Sequence, residues 1–179
     1  MRRSLWTVLI CCTLHAPASA VTVAPLTFDE LVNASTVIVD ARVSHVAGHW
    51  SDDRSRIDSV VTVDVMGQFK GSSGGTLTFT IPGGHVGRYV NLIPGGPSFT
   101  AGDRAVLFLT SRGPRLPIPT GFTQGIYRVT VDSRTGSTLV VPPVVESPDK
   151  RVSRGDLRRK PISLATFEAA VRTVKPAVP

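Results

Sequence analysis

Between Val37 and Val141 apolar residues alternate with polar ones, and that period-2 pattern predicts strands. Val37, Val39, Ala41 and Val43 alternate with Ile38, Asp40, Arg42 and Ser44. They predict a strand over 37–46 with Asp40 and Arg42 turned to solvent, followed by a polar connection over 47–55. Ile57, Ser59, Val61, Val63 and Val65 share one face of a second strand, which is expected to stop at Gly67 to Gly71. Leu77, Phe79 and Ile81 alternate with Thr76, Thr78 and Thr80, the cleanest strand of the chain. Ala105 to Leu109 is apolar throughout and predicts a central strand covered on both sides. A loop is expected over 111–121, where Gly113, Pro114, Pro117, Pro119 and Gly121 fall. Tyr127, Val129 and Val131 face one way in a strand over 126–131. Ser133-Arg134-Thr135-Gly136 turns into Thr138 to Val141, which Pro142-Pro143 terminates. Strands with one apolar and one polar face favour an antiparallel sheet.

Helical spacing occurs twice. Thr27, with Glu30 three residues on, is a capping box for a short helix, and Leu26 and Leu31 fit a hydrophobic staple. Near the C-terminus Ser163 caps a helix whose Leu164, Phe167, Val171 and Val174 form one apolar stripe. Arg172 and Lys175 sit where the helix dipole favours cations. Strands without interleaved helices exclude a doubly wound parallel sheet. The expected fold is mainly β: a small antiparallel OB-like barrel of five to six strands, with a short N-terminal helix and a C-terminal amphipathic helix.

Two turn clusters, Pro82-Gly83-Gly84 and Pro94-Gly95-Gly96-Pro97, bracket residues 85–93 outside the strand pattern. A hairpin-like arm is expected there, and such excursions from compact domains are usually functional or mobile. Its polar and aromatic members, His85, Arg88, Tyr89 and Asn91, are the expected binding residues. The rival expectation is that Val86, Val90, Leu92 and Ile93 plug the barrel.

The first twenty residues follow the order of a secretory signal peptide. Arg2 and Arg3 form a positive n-region, Leu5 to Leu14 is a short apolar run, and Ala18-Ser19-Ala20 is a small-residue cleavage site. The run is too short to span a bilayer. Cleavage after Ala20 would place the protein in the periplasm or outside the cell. It would remove both cysteines, Cys11 and Cys12, so neither a disulfide framework nor a cysteine-based zinc site is expected. The expected organisation is signal peptide 1–20, β-barrel domain 21–145, basic linker 146–162, and C-terminal helix and tail 163–179. The linker carries Lys150, Arg151, Arg154, Arg158, Arg159 and Lys160 against Asp149 and Asp156. Contact with an anionic lipid or acidic polymer is one use of such a run, and a solvated charged linker is the other.

Candidate chemistry is sparse. The chain has 179 residues and a formal net charge of +7, with 41% hydrophobic residues, which excludes disorder of the whole chain. His45 and His49 with Asp52 and Asp53 supply ligand types for a metal, but the i, i+4 spacing puts two histidines side by side only in a helix. Neither metal nor cofactor is expected. Gly83-Gly84-His85-Val86-Gly87 lacks the helix N-terminus that a phosphate cradle needs. No nucleophile elbow is present. Asp58 and Asp64 are too far apart for a coupled pair, so no catalytic residue is named and no enzymatic activity is expected. Nucleic acid is not expected either: Trp50, Tyr89 and Tyr127 are scattered rather than interleaved with a cationic stripe. Asn33-Ala34-Ser35 is an N-glycosylation sequon.

The run Leu26-Thr27-Phe28-Asp29-Glu30-Leu31-Val32-Asn33-Ala34-Ser35, leading into Val37-Ile38-Val39, resembles the start of a group of uncharacterised secreted bacterial β-barrel proteins. Val63 to Gly71, Pro82-Gly83-Gly84, and Phe99-Thr100-Ala101-Gly102-Asp103 leading to Val106-Leu107-Phe108-Leu109 resemble the rest of that pattern. More remotely it is similar to the OB-like barrels of the netrin and tissue-inhibitor-of-metalloproteinase superfamily. The expected function is a secreted, non-catalytic binding domain whose partner is a protein or an envelope polymer. The remote likeness implies a second possibility, a protease-inhibitor-like or protease-associated module. A secreted hydrolase with an unrecognised site is the third.

Overall fold

A computed structural model describes residues 24–111, 113–143 and 160–176. The element order is α1 (Phe28–Ala34), β1 (Val37–Trp50), β2 (Ile57–Lys70), β3 (Thr76–Pro82), β4 (Gly84–Val86), β5 (Tyr89–Asn91), β6 (Arg104–Thr110), β7 (Ile118–Pro119), β8 (Ile126–Val131), β9 (Thr138–Val141), β10 (Ile162–Ser163) and α2 (Leu164–Thr173). A 3-10 turn, Phe122–Gly125, precedes β8. Every ladder is antiparallel. The main sheet runs β10-β9-β8-β6-β1-β2-β3, with β7 paired to β6 and with β4 and β5 forming a separate hairpin.

The sheet is not closed into a barrel, which corrects the expectation of closure. β7 contributes only Leu109↔Pro119 and Thr110↔Ile118 to β6. A single main-chain bond, Thr80 N to the Pro117 carbonyl at 2.9 Å, crosses from β3 to the segment leading into β7. Pro117 and Pro119 have no N–H to extend that seam.

Two apolar clusters lie on the two faces of the sheet. Val39, Ala41, Val43, Val61, Val63, Phe79, Ile81, Ala105, Leu107, Leu109 and Ile126 form one. Ile38, Val106, Phe108, Tyr127 and Val140 form the other with Phe28, Leu31 and Val32 of α1 and Phe167 and Val171 of α2. β6 therefore buries both faces, as its unbroken apolar run predicts. Phe167 is fully buried, with ring centroids 5.6 Å from Phe28, 5.0 Å from Tyr127 and 6.1 Å from Phe108.

Local signals formed as read. Thr27 and Glu30 make both capping-box bonds, at 2.8 and 3.2 Å. Ser163 caps α2 through Thr166 N at 3.2 Å.

Strand ends differ from the reading. β1 continues to Trp50 because β2 pairs with it as far as Ile57, which overrides the polar character of residues 47–50. β2 continues through Gly67 to Lys70. It does so across register shifts opposite Ile38/Val39 and Asp40/Ala41, which leave Phe69 and Met66 unpaired with β1. Phe69 thereby packs with the helix-side cluster. Asp40 is not solvated. Its side chain is 3% exposed and it accepts from Arg104, whereas Arg42, two residues on, is exposed as predicted. The last residue of the expected linker, Ile162, opens β10, which adds to β9 at Ile162↔Val140 and Ser163↔Leu139. Residues 1–20, expected to be a signal peptide, and the basic run 150–159 lie outside the described residues.

Candidate binding cleft

The long β1–β2 hairpin turns through residues 51–56. Its turn is fixed by Asp53, which accepts from Ser51 Oγ at 2.6 Å and from Ser55 Oγ at 2.8 Å and N at 3.1 Å. Those bonds to the ionised form hold the Asp53 carboxyl down to about 2. On one side of this tip, the end of β3 and the segment 115–119 diverge beyond their single bond. The gap between them is an open cleft of about 740 Å³. Trp50, Ile81, Leu116, Ile118 and Phe122 are its apolar lining; Asp52, Arg56, Asp58 and Arg115 are its charged rim. Arg56 Nε donates to Asp58 at 3.0 Å. Phe122 holds φ at +65°, a conformation that a bulky L-residue adopts only when its surroundings impose it.

The β4–β5 hairpin lies against the same end. His85 pairs with Val90 and Val86 with Tyr89. The hairpin seats on β1 at Gly48, where a Cβ would come within 2.0 Å of the His85 carbonyl oxygen. No residue larger than glycine fits that seat without moving the arm. Gly84 is similarly required: its φ is +147°, and a Cβ there would meet Ser59 Oγ at 2.3 Å.

The structure gathers His85, Arg88, Tyr89 and Asn91 on this one hairpin, with different environments. His85 is exposed. Arg88 donates to Tyr89 Oη at 3.1 Å and lies over its ring at 5.2 Å. The Tyr89 ring packs edge-on against Trp50 with centroids 5.5 Å apart. Asn91 turns inward and donates to the Ile57 carbonyl at 3.2 Å, so it anchors the hairpin to β2. The plug expected of the apolar residues does not form, because Val90 and Leu92 are 63% and 82% exposed.

Most of the large exposed apolar side chains belong to the hairpin segment or to the cleft wall. Tyr89, Val90 and Leu92 on the arm and Leu116 and Ile118 on the cleft wall are all at least 44% exposed. Among the described residues only Met66 on β2 and Val131 on β8 join them. Sequence reasoning passed over Trp50, Leu116, Ile118 and Phe122. The usable signal was a lone Trp50 after a strand and two large apolar residues inside a Pro-rich loop.

His45 and His49 both lie on the extended β1. Four residues of strand separate them by about 13 Å, too far to share an ion. Among the described residues no group of three or more His, Cys, Asp or Glu is placed to hold a metal ion. No family model, curated protein or solved structure matches the chain.

Proposed function

We propose that the protein is a non-catalytic binding module whose contact surface is the cleft together with the β4–β5 hairpin. The observation that carries this reading is that the exposed Leu116 and Ile118 line the cleft with Trp50, and that the exposed Tyr89 of the hairpin packs on the same Trp50. Contiguous exposed apolar surface on an otherwise polar protein marks an interaction site. The rim of opposite charges, Asp52 and Arg115 among them, gives that surface the polar border of a protein interface.

The sequence order of residues 1–20 supports export, with cleavage after Ala20 and action in the periplasm or outside the cell. Among the described residues no helix is long and apolar enough to cross a membrane. The path β6-β1-β2-β3 and the bond from Thr80 to Pro117 near β7 support an OB-like arrangement, a partly open barrel.

Replacing residues 85–91 by a short Gly-Ser turn tests the reading. The expected result is unchanged β-type circular dichroism with loss of the partners that the native protein captures from envelope extract. A folded variant that keeps every partner would overturn it.

A further inference from the structure

We propose that the cleft takes a short proline-rich segment of another polypeptide in the polyproline II conformation, with a basic residue at Asp52 and an acidic one at Arg115. This rests on the binding-module reading and supplies the chemistry of the partner.

The main chain around the cleft limits what can bind there. Pro82, Pro97 and Pro119 line it and have no N–H to offer. Ser51 N is committed to the Arg56 carbonyl at 2.9 Å, and Thr80 N to the Pro117 carbonyl at 2.9 Å. An added strand needs main-chain partners at every second residue, and these walls do not supply them. A helix meets its own main-chain needs, but at about 10 Å across it would fill 740 Å³ in less than two turns. Polyproline II is the remaining regular conformation. It forms no internal hydrogen bonds, its prolines carry no N–H, and its carbonyls face outward to solvent. Such a segment leaves no donor unmet between walls of this kind. Its stiffness also lowers the entropy lost on binding.

The side chains point the same way. Aromatic-lined grooves are the surfaces on which proline-rich segments dock. Trp50 and Phe122, both half-buried, line the cleft from different connections. Trp50 is steadied by the edge-on Tyr89 ring at 5.5 Å, and Phe122 by its left-handed backbone beside Gly121 at φ +64°. Among the described residues the Trp50 indole N–H has no acceptor, and Ser73 Oγ is the one buried side-chain polar atom without a partner. The indole N–H is therefore open to solvent and can donate to a carbonyl of the incoming segment.

Charge sets the flanks of that segment. Arg56 and Asp58 on the rim already bond to each other at 3.0 Å. Asp52 and Arg115 have no ion-pair or hydrogen-bond partner among the described residues. Asp52 belongs to the β1–β2 turn and Arg115 to the segment 115–119, so unpaired charges of opposite sign stand on different walls. One basic and one acidic flank satisfy both, and complementarity of this kind sets orientation.

The probe is the capped peptide Arg-Pro-Pro-Pro-Pro-Glu, titrated to about 1 mM against native protein while Trp50 emission is followed. A saturable shift is expected. Arg-Ala-Ala-Ala-Ala-Glu keeps the charges but not the stiff conformation, and should bind at least about tenfold more weakly. Gln-Pro-Pro-Pro-Pro-Gln should bind about fivefold more weakly, the effect of two exposed ion pairs. Asp52→Asn, in an exposed turn, should abolish the advantage of an arginine flank over a glutamine one. Absence of binding by native protein, equal binding of the alanine peptide, or an arginine advantage that survives Asp52→Asn overturns the proposal. Self-association of the native protein that Asp52→Arg abolishes also overturns it, by assigning the cleft to a second copy. If the proline peptide does not bind while replacement of residues 85–91 still abolishes partner capture, the proline-segment proposal fails and the binding-module reading stands.

Discussion

Arg104 grips Asp40 through both carboxylate oxygens, at 3.0 and 2.6 Å, on the face of the sheet that the helices cover. The Asp40 side chain is 3% exposed and that of Arg104 is 20% exposed, so the two partners differ in their access to water. The bond raises the arginine above its already high ordinary value, and Arg104 stays charged throughout. Removing Arg104 strands a buried carboxylate. Removing Asp40 leaves a cation that can still reach solvent. Arg104→Met is therefore expected to cost about 3 kcal/mol and Asp40→Asn clearly less. The double change Asp40→Val with Arg104→Met should recover part of the loss. Urea unfolding of the four proteins measures this; equal single-mutant costs would contradict it.

Phe167 is the largest buried side chain that α2 contributes to its docking. Phe167 is enclosed by Phe28, Phe69, Phe108 and Tyr127. Phe167→Ala should cost about 3–5 kcal/mol. A loss within about 0.5 kcal/mol, the scatter of surface sites, would show that the helix is not held there.

What could be read from the sequence was local. The Thr27–Glu30 box, the Ser163 cap, the Leu77–Phe79–Ile81 alternation and the Leu164–Phe167–Val171 stripe each depend on residues a few positions apart. Asp40 could not be read in this way, because its partner lies 64 residues away and its neighbours alternate as if it were solvated. The extension of β1 to Trp50 and the shifts around Met66 and Phe69 come from strand pairing, which no single segment encodes. The arm was visible through its Gly and Pro frame. The cleft beside it was not, because its walls come from three connections distant in sequence.

The turn at the tip of β1–β2 gives a pH prediction. Ser51 and Ser55 hold Asp53 ionised to about 2, below its ordinary value near 4. A depressed carboxyl stabilises the folded turn above about pH 4, and that contribution fades as pH falls towards about 2. Ser51→Ala should move the Asp53 carboxyl resonance to a higher titration midpoint in NMR. An unchanged midpoint would show that the Ser51 bond does not hold the charge.

Gly48 tests how the arm is seated. Gly48→Ala puts a Cβ into the His85 carbonyl, so the hairpin must lift and Tyr89 must leave Trp50. Trp50 is the only tryptophan after residue 20, and its fluorescence reports the change directly. The expectation is a shifted emission spectrum with unchanged β-type circular dichroism. An unshifted spectrum would contradict this seating.

The most direct test of the binding surface is photocrosslinking in the cells that produce the protein. A photoreactive phenylalanine is placed in turn at Leu92, at Ile118, and at Met66 and Val131, which are also exposed but lie outside the cleft and arm. Adducts of defined mass are expected from positions 92 and 118 and not from positions 66 and 131. Adducts confined to positions 66 or 131, or absent from both 92 and 118, would contradict a contact surface made of the cleft and hairpin.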